Sequence, residues 1–533
     1  MAIGVPGRVF RIFITRPVRA GCVPIRTQLV MARMVHRTND VNGLAEAARR
    51  DLPQATRPHK LERRMLPRVS EILNEAFMPS DTRAELQRFL EVHPETRHFD
   101  VFLHDLNTVE RGKRLDRGGI ETAYRSGMLL PGSMFALDVL GGTVQATGLG
   151  FDDGDADRPC RPIPGTLVPV PWQKDSLAQL QVTMHEHDGG AFYGDPRHVL
   201  AAVLERITAL GLTPVVAIEY EFYFIDRERG ADGLPQPPRG PLTGRREFRT
   251  QINAMTDLNE YSAVLAQIAR DCLAQAVPAT SALSEYGPGQ YEVNLQHLPD
   301  ALAACDQALR FKRIVKSVAR AHGMDATFLP KPYRDMAGSG LHIHLSLLDA
   351  EGRNVLACDD PATHATLRHA VAGLLDSMAD GMAICAPGPN SFRRFRSESY
   401  VPLTPNWSIN NRGAAVRIPV SDAANRRIEY RQAGADANPY LVLAWMLAGL
   451  HHGLTTRMEP PPPLSGNAYA QSTGEPLPTH WATAVERFAG SRFAQEYLGA
   501  RFARLYATVK RAELDEFNSW VTPLECAWYL GPL

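Results

Sequence analysis

The chain is predicted to be an α+β protein, a small β-rich region followed by a large domain in which helices alternate with short strands that carry charged side chains. Three observations lead there. Residues 215–224 alternate apolar and polar side chains with the period of two expected of a strand. Residues 300–322 repeat apolar side chains at helical spacing. A proline- and glycine-rich stretch, 158–172, separates an early region from a later one.

Taken in order, residues 1–39 contain arginines at 8, 11, 16, 19, 26, 33 and 37 and no acidic residue, a composition like that of a transit peptide. The other reading starts translation at Met31 or Met34. On either reading residues 1–56 form an extension outside the fold, disordered or preceding the true start. Residues 57–173 make the small β-rich domain, with a strand at 99–103 and a turn near Glu110-Arg111-Gly112-Lys113. Residues 174–533 form the large domain, entered through the 158–172 linker. There Asp195-Pro196 reads as a helix cap with proline in the first turn, followed by Val199, Leu200, Val203, Leu204 and Ile207 at helical spacing. Helical periodicity recurs at 261–273, 300–322, 362–378, 441–454 and 482–510, between the strands that carry the polar motifs.

Composition narrows the function. The 533 residues are 44% hydrophobic with zero formal net charge, enough for a sizeable core and without the basic bias of a polyanion binder, so a nucleic-acid partner is not expected. Seven cysteines without CxxC pairs fit reduced thiols in the cytoplasm rather than a disulfide framework or a zinc site. No segment has the apolar length of a membrane span, so no membrane partner is expected.

The motifs point to chemistry. In Gly338-Ser339-Gly340-Leu341-His342-Ile343-His344-Leu345-Ser346 an extended chain turns His342, His344 and Ser346 one way and Leu341, Ile343 and Leu345 the other. The strand 215–224 puts Glu219 and Glu221 on one face against Ile218, Tyr220, Phe222 and Phe224 on the opposite one, and similar alternation brings acids from 284–295 and 426–431. Any one of these faces could be a solvated surface; several in one chain aim acids at a shared point. Carboxylates within ~4 Å repel by about 4 kcal/mol per pair at an effective dielectric near 20, so such a cluster needs cations. Oxygen-rich sites with some imidazole suit magnesium or manganese.

Six motifs in fixed order then match one known family: Glu219-x-Glu221; Glu285-Tyr-Gly-Pro-Gly-Gln-x-Glu292; the 338–346 run; Asn390-Ser391-Phe392-Arg393-Arg394; Asn411-Arg412-x-x-x-x-Arg417-Ile-Pro; and Arg426-Arg427-Ile428-Glu429-x-Arg431 before Asn438-Pro439-Tyr440. From about residue 57 onward the chain resembles the glutamine synthetase superfamily, most of all its glutamate-amine ligase branch of γ-glutamylpolyamine and γ-glutamylputrescine synthetases. The resemblance implies a β-grasp N-terminal domain over 57–173 and a catalytic domain over 174–533 built on an antiparallel sheet or partial barrel flanked by helices. It implies that Glu221, Glu285 and Glu292 hold one divalent ion, and Glu219, His342 and Glu429 the other, with magnesium or manganese as the metal and ATP as the nucleotide. Arg394 and Arg431 would grip glutamate, with Gly338 letting the backbone approach it and Glu221 beside it. Arg417, Arg427, His344 and Ser346 would face the nucleotide, and Arg412 the transferring γ-phosphoryl group, since a guanidinium fork suits carboxylate and phosphate.

The implied reaction is ATP-dependent phosphorylation of the glutamate γ-carboxylate and attack by an amine on the acyl phosphate, giving a γ-glutamyl amide, ADP and phosphate. Departures from glutamine synthetases concern the amine. The family glutamate that helps bind and deprotonate ammonium lies six residues after the arginine corresponding to Arg394; here that count reaches Tyr400, with Glu398 nearby. Around Leu137-Asp138-Val139-Leu140-Gly141-Gly142 the Asp-Gly-Ser-Ser that supplies an ammonium-site aspartate is missing, leaving Asp138 as the candidate equivalent, and Ala337 replaces an asparagine before Gly338. These losses favour a larger primary amine, a polyamine such as putrescine or another amine. The alternative is a true glutamine synthetase using ammonium. A non-catalytic regulatory or structural homologue is a third reading, opposed by the acceptable ligand at all six metal positions. The resemblance also implies a large homo-oligomer of stacked rings.

Overall fold

The computed structural model describes residues 82–173, 176–250, 252–471 and 475–532, all within the unit Val69–Leu533. The extension 1–56 lies outside the described residues.

Among the described residues the strands form two sheets. The first contains β1 (His98–His104), β2 (Glu110–Leu115), β3 (Met128–Pro131), β4 (Asp157–Pro162), β5 (Val168–Pro169) and β6 (Leu177–Met184), in the order β2-β1-β6-β4-β3 with β5 also on β6. Its central strand, β6, pairs parallel to β1 and is buried along its whole length. That strand follows the 158–172 stretch, so the first sheet runs on past residue 173. The stretch itself contributes β4 and β5 rather than a free linker. Pro169 is tolerated there because β5 is only two residues long and loses little of the ladder.

The second sheet contains β7 (Thr213–Asp226), β8 (Ala279–Ser284), β9 (Gln290–Leu295), β10 (Met324–Thr327), β11 (Gly340–Leu348), β12 (Trp407–Ile409), β13 (Val416–Ile418) and β14 (Ile428–Gly434). Its order is β12-β13-β14-β11-β7-β9-β8, with β10 on the far end of β7, and every pairing is antiparallel except β12 with β13. The alternation read from the sequence sets its two faces. Tyr220, Phe222 and Phe224 of β7 are fully buried and pack with Phe311 and Phe328 or, for Phe224, with Tyr261 and Tyr291. Leu341, Ile343 and Leu345 of β11 are buried on that side as well. Aromatic and β-branched residues favour this half-buried pleat, and the opposite face is left for the acids.

Helices cover the apolar face. The helix Pro196–Ala209 begins as expected, with the Asp195 carboxylate accepting from Arg197 N at 2.9 Å and proline in the first turn. The helix Ala301–Ala321 is capped by Asp300, which accepts from Ala303 N at 2.9 Å, and packs on β7 and β10. The two helices are joined to the first sheet by polar contacts. Asp306 accepts both Arg197 Nε and Nη2 at 3.0 Å and the Tyr440 hydroxyl at 2.5 Å, and Gln181 of β6 donates to the Tyr440 oxygen at 2.6 Å.

Two local expectations are refined. Glu110-Arg111-Gly112-Lys113 is near a turn, as expected, and itself lies within β2; the turn precedes it, held by Asp105, which accepts from Asn107 N and Val109 N at 2.9 Å. β2 is an edge strand with mostly exposed charged side chains, which guard an edge but show no apolar alternation. The helical period at 482–510 is broken into Trp481–Gly490, Arg492–Leu498 and Ala500–Ser519. Ser491 caps the second of these, and Gly499, at φ 89°, makes the sharp turn before the third.

The helices Ala365–Ser377 and Pro439–Thr456 cross at glycines. A Cβ at Gly373 would stand 2.0 Å from Gly449 O and 2.5 Å from Gly453 N. Gly373→Ala is therefore expected to force the helices apart and cost about 1–3 kcal/mol, seen as a lower thermal midpoint by scanning calorimetry, whereas Gly388→Ala, where a Cβ meets nothing within 4 Å, should leave it unchanged.

Candidate active site

The polar face of the second sheet forms the floor of a cleft of about 1820 Å³, and all sixteen residues singled out from the sequence as catalytic, substrate, nucleotide or metal candidates line it. Strand register brings them into rows. Asn294, Glu219 and His342 stand side by side on β9, β7 and β11; Glu292 and Glu221 pair one step along; Ala217, His344, Glu429 and Arg417 form a row toward the other edge. Acids thus cluster on β7 and β9, histidines on β11, and arginines on β13 and β14.

The contacts follow that order. His342 Nδ1 lies 2.7 Å from Glu219 Oε1, and His344 Nε2 is 3.4 Å from Glu219 Oε2. Arg427 Nε donates to His344 Nδ1 at 3.3 Å, which leaves the proton of a neutral His344 on Nε2, facing Glu219. Glu429 accepts from Arg417 at 2.5 Å and from Arg431 as well. Glu221 accepts from the backbone N–H of Gly340 at 2.8 Å, and Glu292 from Asn294 Nδ2 at 3.0 Å.

These partners divide the carboxylates into two kinds. Glu219 is buried yet held well below the usual carboxylate range by His342 and His344, and Glu429, also buried, is held down to about 2 by Arg431, the two histidines and Arg417. Burial and the charges of Glu219, Glu221 and Glu285 push Glu292 up to about 10, and burial and Glu221 push Glu285 up to about 7. Without a compensating cation the cluster keeps protons it would lose in water.

Two sets of potential ligand atoms converge within 4.8 Å: Glu219, His342 and Glu429, and Glu221, Glu292 and His342. The first coincides with a set expected from the sequence. The second takes His342 in place of Glu285, because Glu285 sits not in a strand but at the start of the turn between β8 and β9, where Gly289 has φ 76°. Glu285 still lines the cleft and faces its neighbours' charge.

The wall beside the acids is made of backbone. Gly338 has no room for a side chain: a Cβ would meet Arg394 Cγ at 2.8 Å and Pro330 O at 2.9 Å. Its carbonyl accepts from Gln290 Nε2 at 2.9 Å, and the adjacent Ala337 carbonyl accepts from the Tyr223 hydroxyl at 2.9 Å. Arg394 is buried with Nε and Nη1 unpartnered, and Arg431 Nε and Arg417 Nε are unpartnered too. Buried guanidinium donors left without acceptors suit an anionic ligand.

Arg412, Glu398 and Tyr400 are exposed at the rim, the last two in left-handed backbone conformations at φ 60° and 55°. Asp138 does not line the cleft of its own chain; its carboxylate accepts from Leu140 N at 2.9 Å and Gly142 N at 2.8 Å and ties its own loop. Two lining residues, Asn294 and Asn410, were not singled out from the sequence. Asn294 was detectable, since it shares the strand face of Glu292; Asn410, which accepts from Arg417 at 3.0 Å, and the buried Gln290 and Tyr223 behind the wall act through contacts that no local pattern announces.

Comparison with known proteins agrees with this geometry. Residues 193–529 match the family described as glutamine synthetase, catalytic domain. The chain is 41% identical over 446 residues to gamma-glutamylputrescine synthetase PuuA of Escherichia coli strain K12, covering 84% of this chain and 94% of that one. It is 30% identical to the glutamate–isopropylamine ligase of a Pseudomonas species, covering 80% and 93% of the two chains. The solved structure of a GmaS/ADP complex superposes with a TM-score of 0.73 at 28% identity over 85% of this chain and all of that one. With its motifs in family order, its cleft on the matched fold and a match that spans almost the whole of these relatives, the chain belongs to the glutamine synthetase family.

Proposed function

We propose that the protein ligates the γ-carboxylate of glutamate to a primary organic amine, using ATP and passing through γ-glutamyl phosphate, with release of ADP and phosphate. One observation carries the reading: a carboxylate cluster that calls for cations and an arginine set with unpartnered donors share one face of one sheet. The names of the relatives, which act on putrescine and isopropylamine, support an organic amine.

The donor set fits magnesium or manganese, since it consists of carboxylate oxygens with one imidazole and keeps protons until a cation displaces them. Glu219, His342 and Glu429 would hold one ion, and Glu221 and Glu292 with Glu285 the other. Such ions would neutralise the triphosphate and the charge building on the transferred group. The chain's own part is positioning. Arg394 and Arg431 hold the glutamate carboxylates, and the side-chain-free surface at Gly338 lets the substrate lie against backbone. Arg417 and Arg427, with His344 and Ser346, orient the nucleotide, and Arg412 reaches from the rim toward the γ-phosphoryl group. Aligning the γ-carboxylate with that group accounts for the first step without a covalent enzyme intermediate.

The amine enters at the rim. Glu398 is the acid placed to take its proton before attack on the acyl phosphate, and Tyr400 puts a ring where the family's ammonium-binding glutamate is expected, which favours an alkyl amine over ammonium. The same reading expects a cytoplasmic homo-oligomer of stacked rings. Exposure of Trp520, Trp528 and Leu530 at 68%, 60% and 83% in the single chain supports their burial against another copy. No helix among the described residues is long and apolar enough to cross a membrane.

Phosphate release with ATP, glutamate and magnesium or manganese, measured across ammonium, putrescine, spermidine, ethanolamine and monoamines, tests the proposal. An organic amine should exceed ammonium in kcat/KM by at least about tenfold, or about 1.4 kcal/mol; preference for ammonium would return the protein to glutamine synthesis. A second test uses pH. Glu285 and Glu292 bind more protons folded than unfolded above about pH 4.5, so the cation-free protein loses stability as pH rises between about 5 and 8. Bound cations remove that loss, so the rise in Tm on adding magnesium or manganese should grow from pH 6 to pH 8. A rise that is flat with pH would remove these two carboxylates from the ligand set.

A further inference from the structure

We infer that Asp436 is a positioning residue for glutamate, acting through Arg394; the inference rests on the reading of Arg394 as a substrate-carboxylate grip. Arg394 ends a short 3₁₀ turn, Ser391–Arg394, and is 4% exposed. Among the described residues no carboxylate forms an ion pair with its guanidinium, and Nε and Nη1 have no hydrogen-bond partner. A buried cation with free donors needs compensating charge held close enough to steady it, yet not so close that it consumes the donors meant for substrate.

Asp436 meets both conditions. Its Oδ2 accepts from the Ser391 hydroxyl at 2.7 Å, which fastens the start of the turn that carries Arg394. Its Oδ1 is buried and unpartnered. The place a Cβ would take at Gly434 is 2.6 Å from Asp436 Oδ1 and 3.2 Å from Arg394 Nη1, so the free oxygen and the free guanidinium nitrogen face each other where that glycine has no side chain. Burial pushes Arg394 down against the charges of Glu221 and Asp436, and pushes Asp436 up against the Ser391 hydrogen bond and the charge of Arg394. The backbone around them is pinned. Ala435 N donates to Ser339 O at 3.1 Å, and Lys331 N and O exchange hydrogen bonds with the Asn390 side chain at 2.8 and 3.0 Å. The buried Lys312 donates to Ala435 O at 3.1 Å from behind. Ser391, Asp436 and Gly434 thus set the direction of Arg394 while its inward donors stay open.

An arginine that binds substrate equally in the ground and transition states contributes to KM rather than kcat. Asp436→Asn keeps the shape and the acceptor for Ser391 but removes the charge. It is expected to raise the KM for glutamate about tenfold, with kcat within about twofold and with the KM for ATP, the KM for the amine and the Tm unchanged. Asp436→Glu should restore part of the loss, and Ser391→Ala, which frees the turn but keeps the charge, should raise the glutamate KM about threefold. If Asp436→Asn does not fold, Ser391→Ala decides. A folded Asp436→Asn with unchanged glutamate KM, or with the KM values for glutamate and ATP rising together as Tm falls, overturns the inference. Arg394→Lys, run in parallel, separates the two levels: a raised glutamate KM there with none in Asp436→Asn sinks the positioning role alone, and no change in either sinks the reading of Arg394 itself.

Discussion

Mutual repulsion among carboxylates on one sheet face is the constraint around which the protein is built. Glu219, Glu221, Glu285 and Glu292 share the cleft at distances where unscreened charges destabilise a fold, and the sheet order decides how each is answered. β7 and β9 carry the acids, β11 interposes His342 and His344, and β14 and β13 bring Arg431 and Arg417. Charge therefore changes sign along the hydrogen-bonding direction of the sheet. Acids next to the histidines or arginines are ionised within the protein itself, whereas Glu285 and Glu292, farther from the arginine strands, depend on something from outside.

That gradient matches the division of labour in transfer of a phosphoryl group to a carboxylate. Cations are wanted where anionic groups of two substrates meet, and fixed guanidinium groups where each substrate is anchored. The guanidinium groups stay useful because their own acceptors are few. Arg417 spends Nη1 on Glu429 and Nη2 on Asn410, Arg431 spends one nitrogen on Glu429, both keep Nε free, and Arg394 keeps two nitrogens free. Burying such donors is tolerable only in a rigid setting. The Gly338 wall supplies it, with the backbone tied by Gln290 and Tyr223 and no side chain between substrate and main chain.

Much of this was legible in the sequence because a strand has a period of two. His342 and His344, Glu219 and Glu221, and Glu429 and Arg431 could each be assigned to one face from local pattern alone, and the cleft contains them all. Patterns that lack apolar alternation were read less well. The charged edge strand β2 was noted only for the turn beside it, and the break at Gly499 was hidden in a run with good helical spacing on either side. The central strand β6 fell on the far side of a proline-rich stretch that reads as a linker, yet its pairing with β1 is a parallel one between segments far apart in the chain.

The sequence by itself determined the class of fold, the faces of the strands and the identity of the groups that meet in the cleft, since these depend on residue type and on periods that are local. Only the tertiary structure decided which carboxylates are answered by histidine or arginine and which are not, that His342 stands between two groups of ligand atoms while Glu285 sits on a turn, and that Arg394 faces Asp436 across Gly434. Those facts follow from strand order and register between segments more than a hundred residues apart, such as β7 with β11, and no local pattern encodes the distance between two side chains brought together in that way.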